Sequence, residues 1–142
     1  MLSRKEQLEH VKKMACEYSR HYAELKPIKE VIDCFKKMIR LRPDVDFKVL
    51  TSVGKFNIEH LIEQKKECLR LHFPEIGVDE NFRFTIRSKD KAHFAGPGVV
   101  LIDDFAMVRA LFVEYGGIAI DGSDIDAVSH FCDSLCNVDC TV

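Results

Sequence analysis

Residues 99–102, Val-Val-Leu-Ile, form an unbroken apolar run that stops abruptly at Asp103 and Asp104. A half-buried strand alternates apolar and polar residues, because successive side chains point to opposite faces. A run without alternation fits a strand covered on both faces, as in a parallel sheet flanked by helices. Parallel strands need long crossover connections, usually helical, so this one feature directs the chain toward an α/β fold.

The rest of the chain supplies what such a fold needs. Residues 47–50, 82–86 and 118–120 read as further short strands. Residues 3–25 read as a helix, with Ser3 and Glu6 spaced as a capping box. Pro27 suits the first turn of a second helix, whose stripe is Ile28, Val31, Ile32, Phe35, Met38 and Ile39, and Pro43 ends it. A third helix spans about 57–72, with Ile58, Leu61, Ile62, Cys68 and Leu69 inward. A fourth covers about 106–115 and closes at Gly116-Gly117. Ser123 and Asp126 are placed to cap a last helix reaching about 135. The whole chain, 1–142, reads as one domain: a helix over 1–26 that serves as a cap element or as extra packing, a core over 27–122, and a C-terminal helix and tail over 123–142.

Composition narrows the class. With 46% hydrophobic and 31% charged residues and a net charge of −2, the chain reads as a globular protein of the cytoplasm. It has no basic field for nucleic acid or an anionic membrane. No apolar stretch approaches the roughly 20 residues that span a bilayer, and the charged start MLSRKEQLEHVKK lacks a signal core.

Of six cysteines, Cys34 and Cys68 fall on apolar helical faces, where the thiol acts as a small hydrophobe. Cys132, Cys136 and Cys140 are spaced by four, which stacks them along one helix face. A soft-metal or redox module on these three is one reading. Packing is preferred, because structural zinc pairs such a cluster with a second one and none is found.

In open parallel sheets, ligands bind beyond the carboxyl ends of the strands. Thr51 and Ser52 follow the first strand, Asp103 and Asp104 follow the apolar one, and Lys91 lies in the connection before it. A hydroxyl with neighbouring N–H groups can hold phosphate oxygens, and a lysine can neutralise their charge. Paired carboxylates can hold Mg²⁺, which takes oxygen ligands and keeps several waters. Each piece also has a plainer reading. Asp103-Asp104 could cap the helix that follows, Thr51-Ser52 could be a strand-end turn, and Lys91 could be a solvated lysine. Gly96-Pro97-Gly98 reads as a turn, the histidines show no metal spacing, and no Gly-x-Ser-x-Gly elbow points to acyl transfer.

Taken together, Val49-Leu50-Thr51-Ser52, the block Lys91-Ala-His-Phe-Ala-Gly-Pro-Gly-Val-Val-Leu-Ile-Asp-Asp104 and Gly116-Gly117-Ile118 resemble the haloacid-dehalogenase-like (HAD) hydrolase superfamily, in its 5'-nucleotidase-like branch. They match motif II, the motif III to IV block and the turn into the last core strand, over about residues 28–120. The stretch Ile62-Glu63-Gln64-Lys65 through Phe73-Pro74 resembles the helix and exit after motif II. The resemblance implies a Rossmannoid three-layer sandwich with a parallel sheet, N-terminally truncated. It implies that Thr51 binds phosphate with Ser52 beside it, that Lys91 is the motif III lysine with Lys89 as competitor, and that Asp103 and Asp104 serve Mg²⁺. The implied reaction is Mg²⁺-dependent hydrolysis of a phosphomonoester, with a nucleoside monophosphate as the best substrate.

One motif is missing. The family keeps its nucleophilic Asp in an Asp-x-Asp at the end of a strand ahead of motif II. Here Asp44-Val45-Asp46 precedes a strand instead of ending one, and Asp33 sits on a helix. Asp121, in Ile120-Asp121-Gly122-Ser123-Asp124, follows a short strand that already fits as the family's last. The alternative function is therefore an inactive or fragmentary relative that binds without turnover. The missing strand should lie between those of motifs II and IV. Its absence predicts a smaller four-stranded sheet with 47–50 and 99–102 as near neighbours, or a homodimer or partner chain that completes the sheet.

Overall fold

The computed structural model describes residues 29–137. The expected helix over residues 3–25 lies outside them, as do Ile28 and Cys140. Within them the chain runs α1 (Lys29–Leu41), β1 (Val49–Ser52), α2 (Ile58–His72), α3 (Val78–Asn81), β2 (Phe82–Thr85), β3 (Val100–Asp103), α4 (Ala106–Glu114), β4 (Ile118–Asp121) and α5 (Ile125–Cys136). Short 3-10 segments at Pro74–Ile76 and Ser88–Phe94 precede α3 and β3. The protein is thus mixed α/β, and all its strand pairing is parallel.

The strands do not form one sheet. β1 pairs with β2, with Val49 opposite Phe82 and Ser52 opposite Thr85. β3 pairs with β4, with Val100 opposite Ile118 and Asp103 opposite Asp121. These are two separate two-stranded sheets, so the expected four-stranded sheet is not formed. Each pair is closed by its own helical crossover, α2 and α3 in one case and α4 in the other. Between the pairs the junction is made by side chains: Leu50 of β1 packs on the cluster of Leu101, Val108 and Phe112. The strands at 47–50 and 99–102 are therefore neighbours through packing, not through backbone hydrogen bonds.

The split has a visible cost in burial. Only Leu101 of β3 is buried and β1 is half-buried throughout, although the sequence of β3 implies cover on both faces. Ile118, which starts β4, is 54% exposed.

One core lies under α1, where Ile32, Phe35 and Ile39 pack on Phe73, Ile76, Val78 and Phe82. This is the stripe read from the sequence, with Met38 fully buried. The core of the other pair is tight at Gly117. A Cβ there would overlap the ring of Phe112, so only glycine fits between α4 and β4.

α5 begins at Asp124, whose side chain accepts from the Ala127 N–H at 3.1 Å. The expected cap, Ser123, is occupied elsewhere: its hydroxyl and its N–H both donate to Asp121 Oδ1, at 2.6 and 2.9 Å. α5 then lies along α1, joined by Lys37–Asp133 at 3.5 Å and by Arg42, which donates to the Leu135 carbonyl at 2.9 Å. Since α1 covers the β1–β2 side and α5 follows β4, this helix pair is the second bridge between the two halves.

Candidate functional site

The carboxyl ends of β1, β2 and β3 open toward one place. Ser52 to Phe56 leave β1, Ile86 to Lys89 leave β2, and Phe105 and Met107 follow β3. Together they line an open cleft of about 650 Å³. The backbone makes its turn from β1 here: Val53 N–H donates to Thr85 O at 2.9 Å and Gly54 N–H to Ile86 O at 3.0 Å. Gly54 then takes a left-handed φ of 70°, which sends the chain away toward α2.

Charge in the cleft is one-sided. Lys55, Lys65, Arg87 and Lys89 line it, with no aspartate or glutamate among its lining residues. Phe56, Ile86, Phe105 and Met107 supply apolar walls. Low-dielectric walls bearing one sign of charge concentrate the field, so the cleft suits an anion with an apolar portion.

Of the sequence-predicted Thr51, Ser52, Lys91, Asp103 and Asp104, only Ser52 lines the cleft, and the set falls into two linked groups. In the first, Lys65 reaches from α2 and donates to Thr51 Oγ1 at 2.6 Å and to the Ser52 carbonyl at 3.2 Å. The Ser52 hydroxyl lies 3.0 Å from that of Ser88. In the second, Lys91 donates to Asp103 Oδ2 at 2.6 Å, both side chains being nearly buried. The other Asp103 oxygen accepts the Phe105 N–H at 2.9 Å. Lys65 and Lys91 are close enough to feel each other. Burial first, and the charge of Lys91 second, bring the Lys65 pKa down to about 8.

The helix-cap reading of the acidic pair is not what forms. Asp103 binds the N–H of Phe105, the residue before α4, and the start of α4 has no side-chain cap. Asp104 is exposed and is not among the residues lining the cleft. Asp121 stands beside Asp103 across the β3–β4 pair. Hydrogen bonds from Ser123 chiefly, and then Arg109 at 3.4 Å, hold its carboxyl below the usual range. Asp103 and Asp104 are the oxygen donors the chain offers a divalent cation. One of them is already neutralised by Lys91, and among the described residues no three Asp, Glu, His or Cys side chains converge to hold a metal.

Sequence reasoning missed the part played by Lys65. It lies in the stretch Ile62-Glu63-Gln64-Lys65, which was noted only as a helix, and its position fourteen residues after Thr51 is a signal only once α2 is known to fold back over β1. Lys89, the competitor of Lys91, lines the cleft while Lys91 is engaged with Asp103. Gln64, beside Lys65, is buried, and its Oε1 has no hydrogen-bond partner. Comparison of the chain with protein-family models, with curated proteins and with solved structures finds no match.

Proposed function

We propose that this chain is a HAD-like phosphohydrolase domain whose cleft binds a phosphomonoester, with a nucleoside monophosphate as the favoured class. The observation that carries the proposal is the cleft beyond β1 and β2, lined by Lys55, Lys65, Lys89 and Arg87, the last paired with Asp90, with no carboxylate in the lining and with Lys65 bonded to Thr51. A phosphate dianion needs this kind of fixed positive surround and hydroxyl donors. The apolar walls suit a base or another flat organic group. The resemblance assigns Mg²⁺ to Asp103 and Asp104, but both Asp103 oxygens are engaged, by Lys91 and by the Phe105 N–H, and Asp104 does not line the cleft, so these residues as placed do not fit the ion. On the proposed reading, Thr51 and Ser52 donate to phosphate, Lys65 and Lys89 balance its charge, and Lys91 fixes the Asp103 carboxylate.

A second reading, binding without turnover, is favoured by a specific observation. No carboxylate lines the cleft to attack phosphorus, and Asp121 is tied to Ser123 and Arg109. Among the described residues, β1 and β3 each have one hydrogen-bonded neighbour. A partner chain or a second copy that supplies a strand ending in aspartate would complete both the sheet and the chemistry.

The experiment is phosphate release from a panel of nucleoside monophosphates with Mg²⁺, run beside calorimetric binding of the same compounds. Turnover that disappears in Asp103→Asn supports the hydrolase. Binding that disappears in Lys65→Met, without turnover in the parent, supports the second reading. A folded protein that neither binds nor hydrolyses them removes both.

A further inference from the structure

The thiols of α1 and α5 meet where the two halves of the molecule are joined. The Cys132 thiol is 2% exposed and donates to the Cys34 carbonyl at 3.5 Å. The thiols of Cys34 and Cys136, both in half-buried residues, lie near enough to add to the upward shift of its pKa. Cys132 is thus the buried member of the group, between two less buried cysteines. The cluster does not form a metal-holding arrangement, and Cys140, which the four-residue spacing had grouped with it, lies outside the described residues.

Of the two described cysteines beside Cys132, helix geometry excludes Cys136 as a disulfide partner. Cys132 and Cys136 are four apart on α5, where Cβ atoms stand about 5–6 Å apart. A disulfide needs about 3.5–4.5 Å between Cβ atoms. An intact α5 therefore forbids that bond and leaves Cys34 on the facing helix.

We propose that Cys34 and Cys132 form a peroxide-oxidisable pair whose disulfide staples α1 to α5. Hydrogen peroxide reaches the half-exposed Cys34 first. Its O–O bond breaks, one oxygen passes to sulfur, and Cys34 becomes a sulfenic acid with release of water. Cys132 then attacks the sulfenic sulfur. The S–S bond forms, the S–O bond breaks, and the departing oxygen leaves as a second water carrying the thiol proton. Two thiols lose one electron each and one peroxide is reduced to two waters. Burial, ahead of the neighbouring thiols, raises the Cys132 pKa to about 12, so little of it is thiolate; Cys34 meets peroxide first, and the attack of the Cys132 thiolate on the sulfenic sulfur is the slow step, which quickens as pH rises.

The consequence reaches beyond two helices. α1 packs on the core of the β1–β2 side, and α5 follows β4. The bond would close a loop between residues 98 apart in sequence and restrain the unfolded chain accordingly. It would also restrain the two strand pairs against each other through the contact of α1 with α5.

The test treats the full chain with hydrogen peroxide, alkylates the remaining thiols, and maps linkages by mass spectrometry of an unreduced digest. The expected product is a peptide linking Cys34 to Cys132, reversed by dithiothreitol, with a higher Tm for the oxidised than for the reduced protein. Cys34→Ser should abolish the linked peptide and the Tm shift, and Cys136→Ser should keep both. If Cys34→Ser does not fold, the parent's linkage map and Cys136→Ser still decide. Over-oxidation of Cys34 without a link, a link to any other cysteine, or thiols that all remain alkylatable would overturn the proposal.

Discussion

Lys65 and Lys91 reach the same site from different connections, and each is held by a different partner: Thr51 for Lys65 and Asp103 for Lys91. Two buried cations this near each other are costly unless an anion joins them. The Lys65 pKa is lowered first by burial and only second by the charge of Lys91. On the proposed reading, a bound phosphate would favour the charged form of Lys65.

The first prediction follows from the sign of that shift. Lys65 titrates at about 8 in the fold against 10.5 for the free side chain. Below pH 8 it is protonated in both states, and the fold bears the full penalty. Between about 8 and 10.5 the unfolded chain holds the extra proton, so stability rises with pH across that window. The gain is on the order of 3 kcal/mol at most. Phosphate binding should move the other way and weaken as pH rises through 8, because the lysine loses its charge while the ligand is already a dianion. Urea melts and phosphate titrations at several pH values check both slopes. Lys65→Met should flatten both, and slopes unchanged in that variant would show that another group is responsible.

Lys91 and Asp103 should be strongly coupled. Each side chain is about a tenth exposed, at 12% and 9%, and they meet at 2.6 Å. Removing one partner leaves the other charge buried and unpaired, at a cost of about 3–5 kcal/mol in such settings. Lys91→Met and Asp103→Asn should each destabilise heavily, and the double variant should cost clearly less than their sum. A double-mutant cycle in denaturant measures the coupling. Additive losses would mean that the pair is not formed in solution.

Much of this arrangement was legible in the chain. Periodicity located α2 and α4 almost to the residue, and the stripe of α1 was read correctly, because an amphipathic helix writes its buried face into the sequence at fixed spacing. The strands were found but displaced by one or two residues, since four-residue strands carry little pattern. What failed was the assembly. The apolar run 99–102 implied full cover, but cover depends on what stands next to the strand. Leu50 packs on the cluster of Leu101, Val108 and Phe112 instead of β1 pairing with β3, and β3 keeps three half-buried residues. Lys65 was missed for the same reason: its partner Thr51 is a contact between α2 and β1, which no local spacing announces.

Gln64 offers a test of whether something is absent from the site. Its side chain is buried, and its Oε1 accepts no hydrogen bond. A buried acceptor left in this state costs about 1–3 kcal/mol. Gln64→Met, which keeps the length and removes the polar atoms, should therefore raise the stability of the isolated chain by about 1 kcal/mol. The informative comparison is with saturating phosphate. If the ligand or the water it orders supplies the missing donor, the advantage of Gln64→Met should shrink when phosphate is bound. Thermal melts with and without phosphate read this directly. An advantage that is the same in both conditions would place the orphaned oxygen outside the site.

Gly117 marks the tightest packing in the β3–β4 half. A Cβ at this position would overlap the Phe112 ring and stand 3.2 Å from Ala95 Cβ. Phe112 is 1% exposed and has nowhere to retreat. Gly117→Ala should therefore destabilise by about 1–3 kcal/mol, the usual cost of overpacking. Adding Phe112→Leu would remove the clash and create a void in the same place, so the double variant should lose less than the two single losses combined. Because Phe112 and Leu101 form the cluster on which Leu50 rests, the damage should also cross to the other strand pair. Hydrogen exchange should quicken in β1 as well as in β3. Quickening confined to β3, β4 and α4 would show that the packing of Leu50 on the Phe112 cluster does not couple the two halves.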